Sequence, residues 1–82
     1  MPYIKTEDRI RLDITLNDTP KNAGELNYLL TKLCIDYFYS NGARYQQIND
    51  VVGALEGCKL EFYRRLAAPY EDEKITQNGD VY

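Results

Sequence analysis

The segment NAGELNYLLTKLCIDYFYSNG, residues 22–42, decides the fold class. Leu26, Leu29, Leu30, Leu33, Cys34, Tyr37 and Phe38 recur at steps of three and four, which places them on one broad apolar face of an α-helix. Asn22 followed by Glu25 matches the N-cap and N3 positions of a capping box, with Asn where Ser or Thr is usual. Asn41-Gly42 ends the pattern, and Gly42 suits the left-handed position just past a helix. The spacing predicts a helix over residues 23–40.

Downstream, Ile48, Val51, Val52, Leu55, Cys58, Phe62 and Leu66 form a second apolar stripe. It predicts a long helix from about residue 45 to 68, stopped by Pro69, whose ring and missing N–H disrupt a helix interior. Gly53 and Gly57 are unexpected there, since each costs up to ~1 kcal/mol against Ala in a helix. They sit four apart, with Ala54 beside them. Small residues at that spacing let another backbone approach closely, a pattern best known in membranes. The expectation is a tight helix–helix contact, either within the chain or between chains.

The two ends are less regular. Ile10, Leu12, Ile14 and Leu16 alternate as in a strand, yet Thr6-Glu7-Asp8 starts a helix well, with acidic residues in its first turn. A strand over residues 6–18 has no evident partner nearby, so a short helix is the preferred expectation. Asn17-Asp18-Thr19-Pro20 breaks whatever precedes it. At the other end, Asn78-Gly79 between Ile75-Thr76-Gln77 and Asp80-Val81-Tyr82 allows a small hairpin, with an extended tail as the alternative. The expected fold is mainly α: two long packed helices, a short N-terminal helix or strand, and a polar C-terminal tail or hairpin. The domain division is one helical domain over residues 1–69 and an acidic tail over 70–82.

Composition bounds the function. The chain has 82 residues, one domain near the lower limit for a self-sufficient core. Self-association is a common route to the missing burial, so a homo-oligomer is expected. There is no histidine, so no Ser–His or Cys–His nucleophile pair can exist within the chain. Two cysteines cannot supply a zinc site of the usual kind. Cys34 and Cys58 each lie in an apolar helical pattern and are expected as free, buried thiols of a reducing compartment. No cofactor, metal or enzymatic activity is expected.

The net charge of −3 is localised. Residues 1–68 carry nine basic and nine acidic side chains, whereas Glu71, Asp72, Glu73 and Asp80 face only Lys74 in the tail. A neutral body with an acidic tail is a poor footprint for duplex nucleic acid. No apolar run approaches the length of a membrane span and the start lacks the form of a signal peptide, so the cytoplasm is the expected location.

Eight tyrosines and two phenylalanines are a compositional excess, and tyrosine suits interfaces and stacking walls. Arg64 and Arg65, with Tyr63 and Lys59, form the best candidate anion site, because guanidinium forks hold phosphate bidentately. Tyr45 is a further candidate for a pocket wall. Glu61, three and four residues before the arginines, can instead pair with both, and Glu56 with Lys59. Asn49, Asp50, Glu56 and Glu61 are read as a solvated face rather than a metal site.

Several segments are distinctive: Met1-Pro2-Tyr3-Ile4, Gly24-Glu25-Leu26-Asn27-Tyr28, the run from Ile48 through Gly57, Glu61-Phe62-Tyr63-Arg64-Arg65, Ala68-Pro69-Tyr70-Glu71 and Asn78-Gly79-Asp80-Val81-Tyr82. Together they resemble a family of short, uncharacterised proteins of phages and prokaryotes, over nearly the whole chain. Residues 13–22 depart from it, being shorter than the helical stretch of that family. The resemblance implies a phage or phage-like origin, hence a host cytoplasm, and no particular activity. Two functions fit. One is a non-enzymatic, host-directed inhibitor or counter-defence protein acting through protein–protein contacts. The other is an oligomeric sponge that holds a small nucleotide-like signal between copies, with Tyr45, Tyr63, Arg64 and Arg65 lining the pocket.

Overall fold

The computed structural model describes residues 3–13 and 18–82. Regular structure among them is helical throughout, with no strand. The elements are α1 (Thr6–Asp13), α2 (Ala23–Ser40), α3 (Tyr45–Phe62), a π-helical turn (Tyr63–Ala67) and α4 (Ala68–Asn78). The chain divides into two units, Met1–Leu33 and Cys34–Tyr82.

In the first unit the contest between helix and strand goes to the helix. Glu7 and Asp8 lie in the first turn of α1 and Arg11 in its last, each sign where the helix dipole favours it. The alternating residues Ile14 and Leu16 lie outside the described residues. The start of α2 follows the capping logic of its sequence. Asn22 Oδ1 accepts the Glu25 N–H at 2.9 Å. The return bond is displaced by one residue, Glu25 Oε1 accepting from the Lys21 N–H at 2.9 Å.

In the second unit the end of α2 closes as its glycine demands. Gly42 takes φ 116°, and the Ala43 N–H donates to the Phe38 carbonyl at 2.9 Å. That six-residue closure satisfies a terminal carbonyl and stops the helix. Ala43 itself has φ 52°, a conformation an L side chain adopts at a penalty. Gln47 Oε1 then accepts the Arg44 N–H at 3.2 Å and starts α3. Across this turn the Tyr37 hydroxyl donates to Asp50 Oδ2 at 2.8 Å, and Gln46 Nε2 donates to Asp50 Oδ1 at 2.8 Å. One carboxylate thus ties residues 34–40 to the first turns of α3.

The backbones themselves stay apart. No Cα of residues 34–40 comes within 8 Å of one in α3, closer than which helices packed at 8–10 Å between axes normally bring some pairs. The space left is an apolar groove of about 330 Å³, bordered by Cys34, Ile35, Phe38, Tyr39, Ile48 and Val52. Residues 34–40 are thus held to α3 through side chains rather than through close backbone contact.

Pro69 does not end the second long helix. Ala68 donates its N–H to the Tyr63 carbonyl five residues back, and the helical run continues to Asn78. The π turn admits one extra residue just where the proline ring would meet the preceding turn, and Pro69 falls in the first turn of α4, where its missing N–H is tolerated. The acidic segment from residue 70 is accordingly helix as far as Asn78, not a hairpin. Within it Thr76 Oγ1 donates to the Asp72 carbonyl at 3.1 Å and Gln77 Nε2 to Glu73 Oε1 at 3.3 Å. Gly79, at φ 86°, receives the chain where the helix stops.

Among the described residues none is buried. The apolar faces that predict α2 and α3 are present as drawn from the sequence, but the chain does not cover them.

The strained Ala43 gives a direct test of the turn. Ala43→Gly is expected to raise stability by about 0.5–1 kcal/mol, seen as a thermal midpoint a few degrees higher by circular dichroism. Ala43→Val is expected to lower it.

Candidate functional site

The candidate anion site is centred on the π turn. Arg64 and Arg65 both project to Glu61, Arg64 Nη2 at 2.8 Å from Oε2 and Arg65 Nε at 2.6 Å from Oε1. Their spacing of three and four residues makes this pairing local and helical. It holds the Glu61 carboxyl below its usual range, first through the bond from Arg64 and then that from Arg65. The same bond raises the Arg64 guanidinium. An anion approaching the two arginines therefore competes with a carboxylate already seated between them. The arginine side chains are exposed, so solvent screens these pairs and their contribution to stability is small.

Tyr63 is turned elsewhere. Its hydroxyl donates to Glu71 Oε1 at 2.7 Å, spanning the π turn from α3 to α4. Lys59 lies 3.6 Å from Glu56. Tyr45 stands at the opposite end of α3, eighteen residues from Tyr63 and so about 27 Å along the helix at 1.5 Å per residue. Tyr63, Arg64 and Arg65 share one region of the helix, and Tyr45 cannot join them in a pocket of a single chain.

The small residues have no neighbour of their own either. Built on Gly53 or Gly57, a β-carbon meets nothing within 4 Å beyond its own helix. Within residues 34–82 no side chain or backbone comes into van der Waals contact with such a β-carbon.

Reading the sequence for charge misses the best-defined polar cluster. Tyr37, Gln46 and Asp50 form it, with both carboxylate oxygens of Asp50 accepting a bond. Tyr37 and Asp50 are thirteen apart and lie on the two sides of the Gly42 turn, which is the available signal. The cysteines also differ from expectation: both are free, but Cys34 is half-buried and Cys58 exposed. Both belong to faces that remain uncovered. No group of three metal-ligating side chains gathers among the described residues, and no described helix is long and apolar enough to cross a membrane.

The two tied phenols have a pH signature. The bond to Asp50 raises the Tyr37 phenol and the bond to Glu71 raises the Tyr63 phenol, each above the ordinary value near 10. A raised folded value means these bonds contribute below the unfolded value and are lost as pH rises through the folded one. An ultraviolet phenolate titration should therefore show a late component that Tyr37→Phe and Tyr63→Phe each reduce. A single transition at the ordinary value in all three proteins would show that neither bond persists in solution.

Residues 1–81 match a family model described as Domain of unknown function (DUF6899), and the chain belongs to that family. No curated protein and no solved structure matches the chain.

Proposed function

Starting from that membership, we propose that the protein is a small, non-enzymatic binding protein that acts through protein–protein contacts, as a homo-oligomer. The observation that carries this reading is the uncovered apolar surface: two amphipathic helices, and no buried residue among those described. Apolar faces that a chain cannot cover by itself are characteristic of interaction surfaces. The aromatic excess points the same way, since tyrosine is enriched where proteins meet.

The wider setting rests on the sequence resemblance alone. It is a phage-type protein in a host cytoplasm, directed at a host component as an inhibitor or counter-defence factor. Sequestration of a nucleotide-like signal is the second reading. It is weakened by Glu61, which sits on both arginines that such a pocket would need.

Native mass spectrometry of the protein purified from a bacterial host, without refolding, separates the readings. The expected result is a discrete oligomer without added small-molecule mass. A few hundred daltons retained per site would favour sequestration, and a monomer would overturn the proposed association.

The glycines supply a test with a built-in sign. In an isolated helix with open space at both positions, Gly53→Ala and Gly57→Ala each stabilise by up to ~1 kcal/mol. If a backbone from another copy approaches there, the same changes weaken the assembly. We expect the thermal midpoint of the double variant to fall, and a clear rise would show that the glycines face solvent.

A further inference from the structure

The binding reading leaves open which face meets which partner, and the inference that follows rests on it. We propose that a second copy of this chain covers the apolar face formed by Ile48, Val52, Leu55 and Phe62 of α3, together with the groove that Ile35 and Tyr39 border on one side.

The size of the face fits this occupant. Ile48 is 47%, Val52 62%, Leu55 42% and Phe62 62% exposed, while Ile35 and Tyr39 flank them at 48% and 70%. At roughly 200 Å² for a fully exposed large side chain, these six leave on the order of 650 Å² uncovered. Each partner in a standard stable interface buries about 800 Å², so a modest rim completes it. At 100° per residue, positions 48, 52, 55 and 62 fall within an arc of about 80° that also takes in Lys59. Gly53 and Gly57 lie on the opposite side of the helix and belong to a separate contact. The apolar positions make a seam for one helix of a partner rather than scattered contacts.

Charge also selects a second copy. Contact across a two-fold axis brings each residue near its own counterpart, so a charged side chain at the axis meets itself. Between residues 45 and 55 this face carries no charge, Asp50 lying on the other side of α3, where it is bonded to Tyr37 and Gln46. Lys59, one turn further on, is drawn toward Glu56. An axis beside Val52 and Leu55 therefore pairs two chains of equal net charge through their uncharged surface.

Stoichiometry completes the argument. Ordering a residue costs about 1–2 kcal/mol of backbone entropy, and no described residue is buried to offset it. Helices of this kind need their partner while they fold, and a second copy of the same chain is the partner always present at that moment.

Sedimentation of the full chain tests the seam with two variants at a position that the single chain leaves open. Val52→Glu is expected to shift dissociation to at least tenfold higher protein concentration than the parent. Val52→Cys keeps a small apolar side chain, and its thiol is expected to react with a maleimide at least tenfold more slowly in the assembly than after dilution below the dissociation midpoint. Cys34 and Cys58 serve as internal references. A parent chain that sediments as a monomer would overturn both the association reading and the seam. An oligomeric parent whose Val52→Glu variant keeps its size, or whose Val52→Cys thiol reacts equally fast when assembled, would overturn the seam and leave association standing.

Discussion

Apolar surface left exposed on the described helices sets the terms for the rest of this structure. Two helices are written with strong apolar faces, at Leu26 to Phe38 and at Ile48 to Leu66. Neither face ends in a core, since no described residue is buried. Fully burying one such side chain contributes about 1.5–3 kcal/mol, which is what a small domain relies on to offset the ordering of its backbone. This exposed surface is what supports the association proposed above. Local bonds can shape the helices, but they cannot replace the missing term.

Those local bonds are nonetheless specific. The Gly42 turn and the Tyr37–Asp50–Gln46 cluster place the end of α2 beside α3 without closing the gap between them, and the result is a groove rather than a packed pair. On the far side, the π turn carries the helix through Pro69, and the Tyr63–Glu71 bond spans the irregularity. The run of 34 helical residues from Tyr45 to Asn78 thereby carries the apolar stripe of α3 on into a segment that holds Glu71, Asp72 and Glu73. A rod of this kind offers an apolar face for association and a separate charged surface that remains solvated.

Much of the fold is legible in the sequence because helices announce themselves locally. The bounds of α2 follow from Asn22, Glu25 and Gly42, and its structure adds only the shift of one bond to Lys21. Pro69 misleads because a rule about the α-helix interior does not hold where a π turn re-phases the hydrogen bonds. Asn78-Gly79 misleads in the same direction: a turn signal needs strands on both sides, and residues 70–78 instead extend a helix already under way. For the candidate site, the local pairs of Glu61 with Arg64 and Arg65 are visible from spacing, whereas the Asp50 cluster depends on a tertiary approach that no periodicity encodes. At Gly53 and Gly57 the spacing of small residues is visible in the sequence, but no contact to a β-carbon there is found among the described residues.

The account turns on one claim, that the helices are stable only in association. Far-UV circular dichroism across a dilution series measures this directly. A helical signal that falls cooperatively on dilution, with a thermal midpoint that rises with protein concentration, is the predicted result. A helical content and midpoint independent of concentration, in a protein that sediments as a monomer, would contradict it and require a core formed within the single chain.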